Sequence, residues 1–171
     1  MSELYFISDL HIGHKKIMEF AGDHRKGDSW QENIEYIVDD WNKIVSKRDN
    51  VVICGDVVFG RENLYHLSRL NGVKELVKGN HDKFQLSDYS KYFKNIHGVY
   101  SKGGHWATHI PIVESELRNR INIHGHTHFN RYVGGISEHN KCKYVNVCIE
   151  IVKQPYPFEK IKNGDYFKEF V

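Results

Sequence analysis

The chain has 171 residues, of which 40% are hydrophobic and 27% are charged, and its formal net charge at pH 7 is +2. These values are typical of a soluble globular protein that is long enough to bury a core, and we expect a single domain over residues 1–171. The net charge is too small to indicate a nucleic-acid or membrane partner by itself.

The first half of the chain alternates short apolar runs with amphipathic segments. The runs at residues 4–7, 51–54 and 75–77 are typical of buried strands. Between them, residues 30–45 and 64–70 carry apolar side chains at helical spacing. Strands that alternate with helices predict a parallel sheet with helices on its faces.

The second half of the chain has a different pattern. Residues 98–109 predict a hairpin that turns at Gly103 and Gly104, and residues 120–124 and 143–152 alternate as half-buried strands do. We therefore expect an α/β core followed by a more antiparallel half.

The cysteines and the N-terminus bear on the compartment. Cys54, Cys142 and Cys148 form no C-x-x-C pair and are interpreted as small core residues. The first residues contain no basic leader and no apolar anchor, which favours a cytoplasmic location and no membrane partner.

Polar side chains follow nearly every predicted strand. Because the carboxyl ends of strands in open α/β sheets gather ligands, we expect these side chains to converge. They comprise two carboxylates, four imidazoles and one amide, namely Asp9, His11, Asp56, Asn80, His109, His126 and His128. This mixture, without a thiolate, suits borderline divalent ions such as manganese, iron, zinc, nickel or cobalt. Seven side chains are too many ligands for one ion, and they indicate a pair of ions that share a carboxylate. Such a centre attracts phosphate.

Five blocks carry these residues in a fixed order. They read D-x-H, G-D, G-N-H-[DE], a lone H and G-H-x-H, and together they resemble the calcineurin-like metallophosphoesterase family over about residues 4–152. The end of the chain resembles the small single-domain bacterial and phage members. The resemblance implies an α/β fold, a sandwich of two mixed β-sheets flanked by α-helices.

The resemblance also implies two metal sites with one shared ligand. One ion would be held by Asp9, His11 and His128. The other would be held by Asn80, His109 and His126. Asp56 would bridge the two ions, for which manganese is the first choice.

The resemblance implies catalysis as well. A hydroxide that bridges the metals would attack phosphorus in line, His81 would protonate the leaving group, and Asp82 would orient His81. The predicted function is a metal-dependent phosphoric ester hydrolase that acts on a monoester or diester of a small molecule, with nucleotides among the options.

Other interpretations were weighed against this one. Asp9 alone would more often cap a helix that begins near Ile12. A non-catalytic interaction module with the same fold is a second reading, although such a module has no reason to keep His81. A nuclease of polymeric nucleic acid is a third, but 171 residues with a charge of +2 leave little room for a nucleic-acid-binding region.

Residues outside the blocks complete the candidate set. His14 is placed at the rim of the site or in solvent, and His124 behind the metal ligands. The cations that would grip a phosphate, or else remain solvated, are Lys15, Lys16, Arg25, Lys26, Arg61 and Arg131. Residues 22–29 and 134–141 are the expected walls of the substrate site.

Overall fold

The apolar runs of the first half form one sheet. The computed structural model of the chain describes residues 2–130 and 143–170. The sheet is built from β1 (Leu4–Ile7), β2 (Asn50–Ile53), β3 (Val73–Val77), β4 (Asn95–His97) and β9 (Tyr156–Pro157), in the order β4-β3-β2-β1-β9. The first four strands are parallel and β9 is antiparallel to β1. The predicted parallel sheet is confirmed.

A second sheet lies in the other half. It consists of β5 (Tyr100–Lys102), β6 (His105–Thr108), β7 (Ile121–His124) and β8 (Tyr144–Asn146), in that order. The hairpin at Gly103 and Gly104 is confirmed, because β5 and β6 pair antiparallel. The expectation of a more antiparallel half is wrong for the other two pairings, which are parallel. The β6–β7 connection includes a short helix, which returns the chain to the same end of the sheet and so permits parallel pairing.

The helices flank these two mixed sheets. They are α1 (Ile17–Ala21), α2 (Trp30–Ile44), α3 (Leu86–Tyr89), α4 (Glu114–Leu117), α5 (Ile149–Val152), α6 (Phe158–Lys162) and α7 (Asp165–Phe170). Two 3-10 helices cover Gly22–His24 and Arg61–Arg69, so the second predicted helix is present in the 3-10 form. Within the described ranges, none of the helices is long and apolar enough to traverse a bilayer.

The long helix α2 is set by its cap and its apolar stripe. The Ser29 hydroxyl accepts a hydrogen bond from the Glu32 amide, which satisfies one of the free N–H groups at the start of the helix. Along one face, Ile34, Ile37 and Trp41 are buried in the core. The helix thus contributes its apolar face to the core.

The predicted strand over residues 143–152 is wrong in its second part. β8 ends at Asn146, opposite the last residue of β7, and α5 follows. All four residues of α5 are buried, so the half-buried alternation expected of a strand is absent from that segment. The helical turn packs Ile149 and Val152 into the core and leaves Glu150 beside Arg25.

The two sheets meet at the carboxyl ends of β1 and β8. The Ser8 amide donates to the Val147 carbonyl at 2.8 Å, and the Ile149 amide donates to the Ser8 carbonyl at 3.0 Å. The loops that follow the strands of both sheets therefore open at one common edge, where the polar blocks lie.

Candidate metal centre

The backbone is strained at the predicted ligands. Seven non-glycine residues in the described part of the chain have positive φ, and five of them are predicted ligands: Asp9, His11, Asp56, His126 and His128. This left-handed conformation costs about 1–2 kcal/mol for a residue with a side chain. Concentrated strain of this kind indicates that the surrounding structure imposes the arrangement.

Strand β1 leads directly into the first ligand group. The Asp9 amide donates to the Gly55 carbonyl and the His11 amide to the Asp56 carbonyl, each at 3.0 Å. The His11 Nε2 atom lies 3.5 Å from Asp9 Oδ1, and His128 Nε2 lies 3.9 Å from the same oxygen. Ligand atoms of these three residues all lie within 4.8 Å of one another, so the group predicted for one ion is assembled in space. Asp9 is no helix cap, because α1 begins only at Ile17.

The two oxygen atoms of the Asp9 carboxylate have different surroundings. Its Oδ2 atom accepts from the Ser8 hydroxyl at 2.5 Å, the His126 amide at 2.9 Å and the Cys148 thiol at 3.2 Å. Its Oδ1 atom is buried without a hydrogen-bond partner and faces the two imidazoles. Burial raises the pKa of Asp9, but the nearby imidazoles of His11 and His109 outweigh it and hold the pKa below its usual value.

Asp56 lies between the two predicted groups. Its Oδ2 atom is 4.0 Å from His11 Nε2 and 3.3 Å from His109 Nε2, and Asp9, Asp56 and His109 form a second group of ligand atoms within 4.8 Å. The His109 Nε2 atom also lies 2.7 Å from Asn80 Oδ1. The His126 ring is exposed and has its centroid 5.1 Å from that of His109. Asp56 thus faces ligands of both groups, the position that a bridging residue requires.

The donors that remain unsatisfied fit a metal centre. In the described chain, Asp9 Oδ1 and both ring nitrogens of His11 are buried without a hydrogen-bond partner. Buried polar atoms of this kind are costly unless they are paired, so a cluster of them at strained residues fits a cation-binding site. Carboxylate and imidazole donors suit borderline divalent ions.

Asp82 departs from its predicted role. Its Oδ2 atom accepts from the Asp56 amide at 2.9 Å and the Gly79 amide at 2.8 Å, and its Oδ1 atom accepts from the Val57 amide at 3.0 Å. Both oxygens are therefore committed to backbone N–H groups rather than to the His81 ring. This buried carboxylate ties the loop after β2 to the loop after β3.

His81 itself is held at the backbone. Its amide donates to Asp56 Oδ1 at 2.8 Å, and its ring lies 6.0 Å from the ring of His11 between centroids. The exposed side chain lines a cavity of about 1010 Å³ together with His11, His126 and His128. It is thus within reach of a group bound at the candidate centre.

The ion pair of Glu150 and Arg25, which lies behind the candidate centre, was not predicted from the sequence. Glu150 Oε1 lies 3.2 Å from His128 Nδ1 and accepts from Arg25 Nε at 2.9 Å, and both members of the pair are buried. Arg25 also donates to the carbonyl oxygens of Asp9 and Leu10. The sequence signal was a lone glutamate inside the apolar run "VCIEIV", to which the strand interpretation gave no role.

The other candidates occupy varied places. His14 lines the cavity, and His124 is buried behind the loop, where its Nδ1 bonds the Gly125 carbonyl and burial lowers its pKa to about 4. Arg61 pairs with Asp88 and Lys26 with Asp40, both away from the centre. Arg131, Cys142 and the wall expected at residues 134–141 lie outside the described residues.

Comparisons with known proteins agree with the fold described above. The profile of the calcineurin-like phosphoesterase family matches residues 3–169. An uncharacterised protein of Methanocaldococcus jannaschii, MJ1445, is 28% identical over 161 residues, which cover 89% of this chain and 84% of that protein. The Gene 66 protein of Mycobacterium phage D29 is 31% identical and covers 75% of this chain and 79% of its own length. The crystal structure of a protein of unknown function from Aquifex aeolicus, AQ665, is similar with a TM-score of 0.75 and 25% identity, over 95% of this chain and 99% of that one.

Proposed function

The chain belongs to the calcineurin-like phosphoesterase family, and on that premise we propose that it hydrolyses a phosphate ester with the help of two divalent metal ions. The observation that carries the proposal is the pair of carboxylates, Asp9 and Asp56, that face the imidazoles of His11, His109 and His128 at the edge where the sheets meet. In the proposal Asp9, His11 and His128 hold one ion, Asn80, His109 and His126 hold the other, and Asp56 bridges them.

The described side chains have distinct tasks in this proposal. When bound, the two cations would attract phosphate and lower the pKa of a water molecule to supply the nucleophile. Asp9 and Asp56 fix the cations at one end of the cavity, and Asp82 fixes Asp56 through the backbone N–H groups of the two ligand loops. The ester lies in the cavity with its leaving oxygen toward His81.

His81 acts as the general acid. Its ring lies in the cavity beside His11, and its amide is tied to Asp56, so the ring is anchored to the metal-binding loop. A protonated imidazole at that place can pass its Nε2 or Nδ1 proton to the departing alkoxide, which converts a poor leaving group into a neutral alcohol.

A non-catalytic binding module is the second candidate. It would need the ligand cluster for structure but would have no use for an imidazole exposed in the cavity. The position of His81 therefore supports catalysis over this alternative.

A nuclease of polymeric nucleic acid would be marked by DNA binding that weakens steeply as salt rises.

The test is hydrolysis of a panel of nitrophenyl monoesters and diesters, nucleotides and cyclic nucleotides with added manganese. We expect turnover that is lost on chelation and restored by metal. Asp56→Asn should reduce it by more than about a hundredfold, since even the groups that merely orient ligands are worth about 10–100-fold. Asp88→Asn, which alters a buried carboxylate outside the centre, is the matched control.

The absence of metal-dependent turnover on every ester, in a folded protein that binds manganese, would contradict the proposal and favour the binding module. Four further points stay predictions. They are the choice of manganese over iron, zinc, nickel or cobalt, the monoester or diester preference, the cytoplasmic location and the single domain over residues 1–171.

A further inference from the structure

The cavity beside the candidate centre is larger than a phosphate requires. Its volume is about 1010 Å³, at the upper end of the roughly 300–1,000 Å³ typical of ligand pockets. Part of its lining is formed by His11, His81, His126 and His128. Another part, the aromatic wall, is formed by Ile17, Phe20, Ala21 and Phe129.

The two phenylalanine rings of the aromatic wall are exposed. Phe20 is 66% exposed and Phe129 is 44% exposed, although both belong to the most apolar residue types. Phe129 stacks on His24 with a centroid distance of 4.8 Å and an interplanar angle of 17°, so one of its faces is supported. Phe20 contacts the edge of His14 at 6.0 Å. Both rings are thus anchored at one side and offer surface at the other.

A row of rings joins this wall to the candidate centre. The centroid of His14 lies 5.9 Å from that of His11 and 6.0 Å from that of Phe20. Phe59 lies under the row and contacts His14 at 4.4 Å and His81 at 5.3 Å. Two ring-to-ring steps therefore separate a predicted metal ligand from the exposed ring of Phe20, a spacing that a sugar between a phosphate and a base can bridge.

We propose that Phe20 and Phe129 form a stacking subsite for an uncharged planar ring, so that the substrates are phosphate esters that carry a nucleobase. The inference rests on the proposed function, because it takes the phosphate to be bound at the metal centre. Stacking on an aromatic side chain suits every base, since each has a π-face. Thr127 and Asn130 line the same cavity and offer neutral polar groups to the edge of a base.

The test compares two ligands that differ only in the base. The probes are the phosphonate analogues of adenosine 5′-monophosphate and of ribose 5-phosphate, which are not hydrolysed. Each is titrated calorimetrically into manganese-loaded protein. We expect the adenosine analogue to bind about tenfold or more tightly than the ribose analogue, in line with the usual contribution of base stacking. In Phe20→Ala and in Phe129→Ala, the ratio of the two affinities should fall by several-fold.

Tyr36→Ala is the control, because it removes an exposed aromatic ring on α2 that does not line this cavity. It should leave the ratio unchanged. Equal binding of the two analogues, or a ratio that neither phenylalanine substitution alters, would overturn the subsite. Failure of both analogues to bind would also overturn it, whereas turnover of nitrophenyl esters would in that case still uphold the proposed function.

Discussion

Glu150 and Arg25 support the candidate metal centre from behind the predicted ligands. The Glu150 carboxylate faces His128 Nδ1, which leaves Nε2 of that ring directed toward Asp9. The Arg25 guanidinium offsets the buried charge of Glu150 and holds the carbonyl oxygens of Asp9 and Leu10. Such partners fix the tautomer and orientation of a ligating histidine.

We therefore expect Glu150→Gln to weaken the centre and the fold together. Loss of the negative charge leaves Arg25 buried without its counter-ion, which costs about 3–5 kcal/mol in unfolding free energy. Manganese affinity should fall about 10–100-fold, because His128 loses its orienting carboxylate. Denaturant unfolding of the metal-free protein and calorimetric titration measure the two effects separately.

The control for this prediction is Glu159→Gln. Glu159 pairs with Lys162 on the surface, and its side chain is 73% exposed, so the change should leave both measurements nearly unaltered. Unchanged manganese affinity in Glu150→Gln would remove the positioning role from Glu150.

A second prediction at this scale concerns His81. His81→Ala should slow hydrolysis of an alkyl phosphate ester by about 10²–10⁴-fold, the usual contribution of general acid catalysis. It should slow hydrolysis of a nitrophenyl ester far less, because the departing nitrophenolate is a weak base. The measurement is kcat on both esters in both proteins, and equal losses on the two esters would exclude His81 as the proton donor.

At the scale of elements, the tip of β7 shows how closely the loops of the two sheets pack. A Cβ atom at Gly125 would overlap the Ser8 hydroxyl and the Asp9 carboxylate at the end of β1. Only a glycine lets the loop that carries His126 and His128 approach β1 this closely.

Gly125→Ala should accordingly push the two strand ends apart. Overpacking of this kind costs about 1–3 kcal/mol in unfolding free energy, and manganese affinity should fall with it because Asp9 moves relative to His128. Gly98→Ala is the control, since a Cβ there meets nothing within 4 Å and should change stability by less than about 0.5 kcal/mol. Full manganese affinity in Gly125→Ala would contradict the predicted coupling of the two loops.

The strands β1, β2 and β3 and the candidate ligands that follow them were predictable for the same reason. A short apolar run that ends in Asp, His or Asn indicates both a buried strand and a candidate functional residue at its end. Asp9 and Asp56 could therefore be identified from the sequence alone. The helix α5 could not, because an apolar segment buried on every side carries no period that distinguishes a strand from a helix. Because that segment was interpreted as a strand, the burial of the Glu150 carboxylate was not predicted. The cavity likewise could not be predicted from the sequence, because its walls come from α1 and from loops far apart in the chain.

For the whole molecule, the two buried carboxylates link metal binding to stability. Asp9 and Asp56 are almost fully buried, and in the metal-free protein imidazoles and hydrogen-bond donors oppose their mutual repulsion. A cation that binds the folded state alone stabilises it by mass action, by about 2.7 kcal/mol at a hundred times the dissociation constant.

Thermal unfolding should therefore respond to metal. Manganese at that excess should raise the Tm of the chelated protein by about 5–10 °C, the shift expected for this stabilisation in a chain of this size. Asp9→Asn should reduce the shift sharply while leaving the fold intact. A Tm that does not move between exhaustive chelation and saturating manganese would contradict this link.

The central claim is that distant segments of the chain assemble a centre for two cations around Asp56. Calorimetric titration of the metal-free protein with manganese tests it most directly, with Asp56→Asn titrated alongside. We expect two ions per chain in the wild type and loss of at least one of them in the variant. A stoichiometry of one or none in the wild type, or two ions retained at equal affinity without the Asp56 carboxylate, would contradict it.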